Sequence, residues 1–205
     1  PLSAELIEGS SSWEMRIFGK RYEALKEIDE YAFERADYLF FPVETADEPY
    51  EKAWSSYSKM KQRSFDKYRY VPTGTVDAKA RRDKLDVRRG LGIPDGAFVI
   101  CYVGRHNRVK GYDRLVSICE QILESHSDVY VVVAGSKGPL NSPENERWIE
   151  LGWQDDPHSL IAASDVFILP NRETYFDLIL LECLSLGVPV LISDTGGNKY
   201  FQKYS

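Results

Sequence analysis

From residue 97 onward, the short apolar runs FVICYVG, VYVVVAG, DVFILP and PVLIS alternate with YDRLVSICEQILESH, HSLIAAS and DLILLECLSLG, where apolar and polar positions follow helical spacing. Runs that are apolar throughout belong to strands buried on both faces. The pattern therefore predicts a parallel sheet covered by helices on both sides, the doubly wound α/β arrangement. In such a fold, ligands bind outside the carboxyl ends of the strands.

The first part of the chain has a different texture. Residues 13–36 are charged, with Tyr22, Leu25, Ile28, Ala32 and Phe33 at three- and four-residue spacing, which predicts a helix. A short strand follows in DYLFFPV, then a polar helical stretch, EPYEKAWSSYSKMKQRSF. Pro72 and Gly74 in YRYVPTGTV mark a turn or crossover, which places a boundary near residues 70–76.

Composition narrows the partners. The chain has 205 residues, is 43% hydrophobic and carries a net charge of −6, enough for a real core and unfavourable for a nucleic-acid backbone or an anionic membrane surface. An anionic ligand is therefore expected to be small and locally held. Cys101, Cys119 and Cys183 lie in or beside apolar stretches without C-x-x-C spacing and read as buried free thiols. No apolar run reaches membrane-span length, and the first thirty residues lack the order of a signal peptide, so a cytoplasmic setting is expected.

The strand ends carry the candidate chemistry. After FVICYV comes GRHNRVKGYDRL, where Gly104 and Gly111 bracket Arg105, Arg108 and Lys110. Fixed cations on a glycine-hinged loop suit a diphosphate; a solvated basic loop is the plain alternative. AGSKG, LGWQDDPHSL, LPNRETYFD and SDTGGN follow the later strands, the last with Gly196 and Gly197. Several polar or glycine-rich ends on one edge of one sheet converge on a ligand crevice.

One carboxylate stands out in this frame. Glu182 lies inside the otherwise apolar helix DLILLECLSLG, and a buried carboxylate needs a partner. Two readings stand: it faces the crevice and accepts hydrogen bonds from the vicinal hydroxyls of a ribose, or it is a surface glutamate on a partly exposed helix.

Taken in order and spacing, YVGRHNRVKGYDRLV, VVVAGSKG, LGWQDD, AASDVFILPN and TYFDLILLECLSLGVPVLISDTGG resemble the nucleotide-sugar-binding domain of retaining glycosyltransferases of the group 1 type, whose two Rossmann-like domains form the GT-B fold. The resemblance covers roughly residues 70–200. It implies residues 1–72 as the end of the acceptor-side domain with its hinge, and 73–205 as a nucleotide-sugar donor domain, each incomplete. ADYLFFPVE resembles the last acceptor-side strand and YVPTGTV the hinge.

The resemblance implies roles residue by residue. Arg105 and Lys110 clamp the donor pyrophosphate and stabilise it as it leaves, Glu182 holds the ribose, Trp153 and Gln154 border the base, and Gly104, Gly135, Ser136 and Leu178 line the donor site. The first of the family's paired glutamates falls at Thr174, with Glu173 one residue earlier as the candidate contact to the transferred sugar. Asp177 replaces a common glycine at the helix start, where its carboxylate is expected to cap the helix and compete with phosphate for its amides.

The implied activity is transfer of a sugar from a nucleoside-diphosphate donor, a UDP-sugar favoured, to a hydroxyl of a glycan or lipid-linked acceptor with retention. The implied setting is surface polysaccharide or glycoconjugate synthesis, in the cytoplasm or at the inner face of the membrane. No cofactor and no obligatory metal are expected. A nucleotide-sugar epimerase of the same fold and a non-catalytic nucleotide-binding module are the alternatives. A dinucleotide reductase is disfavoured because no G-x-G-x-x-G follows a strand. His106, His126 and His158 read as ordinary loop or surface residues.

Overall fold

The computed structural model describes residues 12–204, with side chains from Ala24 onward. Residues 1–11, part of the segment read as lacking a signal peptide, fall outside the described residues. The chain forms two compact units. The first holds the described residues up to Thr73, together with Glu173–Phe176 and those from Asp194 onward; the second holds Gly74–Arg172 and Asp177–Ser193. Division by sequence ran the second segment unbroken to 205, whereas residues 173–176 and 194 onward group with the first unit.

In the first unit, helix α1 (Ser12–Arg35) leads into strand β1 (Leu39–Phe41), helices α2 (Glu48–Ala53) and α3 (Tyr57–Arg63), and strand β2 (Tyr68–Tyr70). Strands β1 and β2 pair in parallel, Phe40 opposite Arg69, so the stretch expected as a hinge begins as a strand. The polar stretch expected as one helix is broken at Trp54, whose extended backbone (φ −118°, ψ 115°) ends α2. Trp54 at the break and Tyr57 just beyond it are both buried in an aromatic core with Phe41 and Tyr68. Asp47 is buried beneath it, accepting a hydrogen bond from Tyr57 Oη at 2.8 Å and pairing with Lys61 at 2.5 Å.

The paired glycines of SDTGGN find their reason here. A Cβ on Gly196, whose φ is +49°, would lie 1.8 Å from the Thr174 carbonyl oxygen, and one on Gly197 2.0 Å from that of Tyr175. Only glycine lets the two segments of this unit approach so closely. Glu48 accepts from the Gly196 amide at 2.9 Å and pairs with Lys52 and Lys199. Burial pushes its carboxyl up, but the hydrogen bonds from Lys199, Lys52 and the amide outweigh this and hold it at about 2.

The second unit is the predicted α/β layer structure. Helix α4 (Lys84–Gly90) precedes β3 (Phe98–Val103), α5 (Tyr112–Ser125), β4 (Val129–Ala134), β5 (Trp148–Glu150), α6 (Pro157–Ala163), β6 (Val166–Leu169), α7 (Leu178–Ser185) and β7 (Val190–Ile192). The strands form one parallel sheet in the order β5-β4-β3-β6-β7. Strand order reverses between β3 and β6, which is where a doubly wound sheet opens a crevice at its carboxyl edge. Strand β5 was not legible beforehand: its three residues, WIE, follow a polar loop and carry no run of their own.

Apolar side chains of β3, β4 and α5, among them Ile100, Val131, Val133, Leu115 and Leu123, form the core on one side of the sheet. The three cysteines are buried and free, as read from the sequence, and burial pushes the Cys119 and Cys183 thiols up to about 12. At the opposite edge from the crevice, buried Arg88 ties α4 to the sheet. Its guanidinium donates to the carbonyls of Ala163 and Ala97 and to Asp165 at 2.7 Å, while Asp165 also accepts from Val99 N at 2.8 Å. Every member of this network has partners, which is the condition under which a buried charge is tolerated.

Candidate functional site

The carboxyl ends of β3 and β4 and the segment after β5 enclose a cavity of about 380 Å³. Gly104 and Arg105 come from the first, Gly135 and Ser136 from the second, and Trp153 and Gln154 from the third. All six were singled out in the sequence, and the structure brings them together. The floor is tight because Gly135 has φ +133° and a Cβ there would lie 2.1 Å from the Gly104 carbonyl oxygen. Hydrogen bonds fix this floor, from Gly104 N to Ala134 O at 2.9 Å and from Gly135 N to Gly152 O at 2.8 Å.

At the rim, the Trp153 indole is 74% exposed, an aromatic face open to solvent beside the cavity. Gln154 is turned inward, its amide donating to the Leu151 carbonyl at 2.9 Å. Arg105 is exposed at the mouth, and its own carbonyl accepts from the buried Tyr102 hydroxyl at 2.8 Å, which steadies the loop. Burial raises the Tyr102 phenol above its ordinary range, so it remains a donor across all working pH.

Lys110 stands farther along the same loop, its backbone amide donating to Asn107 Oδ1 at 2.8 Å. Gly111 follows with φ +68°, and a Cβ there would lie 1.9 Å from the Pro170 carbonyl oxygen, so the loops after β3 and β6 touch main chain to main chain. The Lys110 ammonium reaches Asp177 Oδ1 at 2.9 Å, and Asn171 donates to the other oxygen of that carboxylate. This corrects the role expected of Asp177. It flanks α7 but makes no side-chain cap, because the ammonium and the Asn171 amide occupy its oxygens. An incoming anion would compete with Asp177 for Lys110 rather than for helix amides.

Glu182 is neither deeply buried nor simply at the surface. Its side chain is 28% exposed, and Oε2 lies 3.1 Å from His158 Nε2 in the first turn of α6. His158 is thus tied to a candidate site residue, which its reading as an ordinary residue missed. His106 corrects that reading too: it is 1% exposed, stacked on Tyr112 at 4.0 Å between ring centroids. Burial lowers its imidazole below the ordinary range despite the nearby Glu150 carboxylate. His126 is exposed, as expected.

The remaining candidates divide between the units. Leu178 opens α7 with 47% exposure. Glu173 and Thr174 belong to the first unit, where Thr174 is buried. Among the described residues, no helix is long and apolar enough to cross a membrane.

A doubly wound parallel sheet with a crevice at the carboxyl ends of its strands is a Rossmann-like α/β domain. Residues 97–203, more than half of the chain, match the family described as glycosyl transferases group 1, and the chain belongs to that family. D-inositol 3-phosphate glycosyltransferase of Acidothermus cellulolyticus is 32% identical over 152 residues, covering 64% of this chain and 34% of that protein. The fold matches GT-B glycosyltransferase structures. WaaG, a glycosyltransferase involved in lipopolysaccharide biosynthesis, has a TM-score of 0.69 at 17% identity, covering 89% of this chain and 52% of its own. Anabaena HepE in complex with UDP-glucose has a TM-score of 0.64 at 17% identity, covering 97% and 54%. The chain spans about a third of the length of the curated relatives it matches.

Proposed function

We propose that the second unit is the donor-binding part of a retaining glycosyltransferase that takes a nucleoside-diphosphate sugar, UDP-linked by preference, and transfers the sugar to a hydroxyl of a glycan or lipid-linked acceptor. The observation that carries this reading is the single cavity at which Gly104, Arg105, Gly135, Ser136, Trp153 and Gln154 meet, in a chain of the group 1 family. HepE, with the same fold, was solved with UDP-glucose bound. The relatives named for teichuronic acid and O-antigen biosynthesis support a role in surface polysaccharide assembly.

The base lies against Trp153 and Gln154, where an exposed indole beside the cavity favours a flat ring. The diphosphate extends toward Arg105 and Lys110, with Lys110 exchanging its Asp177 partner for a phosphate oxygen. Glu182 receives the ribose hydroxyls, and Leu178 lies at the start of the same helix. Departure of the diphosphate builds negative charge on its terminal oxygens, and two fixed cations stabilise that charge without a metal. The chemistry then rests on positioning and leaving-group stabilisation rather than on a protein acid or base.

Calorimetric titration of this chain with UDP, GDP and ADP tests the reading. UDP is expected to bind with a stoichiometry of one and more tightly than the other two. Absence of binding by all three, in a chain with a cooperative thermal transition, would remove the donor-site reading.

A further inference from the structure

The pair between His158 and Glu182 has a property that the cavity alone does not explain. His158 Nε2 and Glu182 Oε2 are 3.1 Å apart, and the two side chains are 31% and 28% exposed. A partly exposed pair of this kind adds little to fold stability. Both ends are nevertheless held in place. Asp156 accepts from the Ser159 amide at 3.3 Å and Pro157 occupies the first turn, so the turn that carries His158 is rigid. The Ser159 hydroxyl in turn accepts from the Arg81 and Arg82 amides at 2.9 and 3.0 Å. On the facing helix, Glu182 lies between the buried anchors Leu180 and Cys183.

The position matters because Pro157, one residue before His158, lines the cavity. An ionised carboxylate can only accept, so His158 Nε2–H is the donor to Oε2, which leaves the second carboxylate oxygen with lone pairs for another hydroxyl. We propose that His158 is a positioning residue: it fixes the Glu182 carboxylate so that its second oxygen accepts a hydrogen bond from a ribose hydroxyl of the bound nucleotide. This rests on the donor-site reading above and adds to it a residue outside the cavity lining. A carboxylate already held in its bound orientation avoids the ordering cost that a free side chain meets on binding.

The test pairs protein variants with ligand variants. UDP, 2′-deoxy-UDP and 3′-deoxy-UDP are titrated calorimetrically into the unaltered chain, His158→Phe and His158→Gln. The unaltered chain is expected to prefer UDP over at least one deoxy analogue by roughly ten- to a hundredfold, the range of a hydrogen bond to a charged group. His158→Phe is expected to weaken UDP by about three- to tenfold, the effect of releasing one side chain, while barely changing the affinity for that analogue. Gln, whose amide can present an N–H near the place of Nε2, is expected to restore most of the loss.

Equal weakening of UDP and both analogues by His158→Phe, or no weakening, would overturn the positioning role and leave the donor site standing. So would failure of Gln to restore the affinity while that variant keeps the thermal transition of the unaltered chain. Failure of the unaltered chain to bind UDP would overturn the donor site, and the positioning role with it.

Discussion

Replacing Arg105 and Lys110 together by alanine is expected to weaken UDP binding by about a hundredfold or more. Hydrogen bonds to charged groups contribute about 1.5–3 kcal/mol each, so the loss of two reaches that range even with partial compensation. Arg105 is exposed at the cavity mouth and offers a planar fork to phosphate oxygens. Lys110 is paired with Asp177 at 2.9 Å, so its gain on meeting phosphate is offset by the contact it gives up. Both losses should shrink as salt rises. Calorimetry of the two single variants and the double variant at two ionic strengths measures this. Equal affinities across all four proteins would show that the diphosphate does not lie along this loop.

The largest expected effect on stability comes from Gly135→Ala. The substitution places a side chain at φ +133°, where L-residues are strained, and drives its Cβ to 2.1 Å from the Gly104 carbonyl oxygen. Both obstacles are main chain at the ends of central strands, so neither can swing away as a side-chain tip would. A cost of about 3 kcal/mol or more follows from backbone strain and overpacking together. For a chain of this size that lowers Tm by roughly 6–12 °C. Gly92→Ala is the milder comparison, since Gly92 has φ +71°, within the left-handed region, and nothing within 4 Å of the added Cβ. It should show only the backbone component, about 1 kcal/mol. Thermal melts of the two variants side by side check this; equal melting temperatures would mean that the loops after β3 and β4 yield easily.

The second unit was legible because each apolar run matched one buried strand and each helix showed its own period. Strand β5 escaped because three residues cannot display a pattern, and its pairing with β4 is supplied by the sheet. The break at Trp54 escaped for the opposite reason: a strong helical signal surrounds it. The glycines at strand ends were visible as glycines, but their purposes were not. Gly135 and Gly111 admit neighbouring loops of the crevice, while Gly196 and Gly197 admit the Thr174 and Tyr175 carbonyls, contacts across distances in sequence that no local reading contains.

The candidate site divides along the same line. Gly104, Arg105, Gly135 and Ser136 were legible because they follow strands visible in the sequence, which topology gathers on one sheet edge, whereas Trp153 and Gln154 were supplied by the family resemblance. The pairing of Lys110 with Asp177 and that of His158 with Glu182 depend on how separate elements face one another. His106 misled because it sits in a basic, polar loop; its burial comes from stacking on Tyr112, six residues on, at the start of α5.

The position of UDP in a crystal of the chain saturated with the nucleotide tests the donor site most directly. The account predicts the base beside Trp153 and Gln154, the ribose within hydrogen-bond reach of Glu182, and the diphosphate on Arg105 and Lys110, the last drawn away from Asp177. UDP ordered elsewhere on the protein, with the cavity between Gly104 and Gly135 empty and Lys110 still on Asp177, would contradict it.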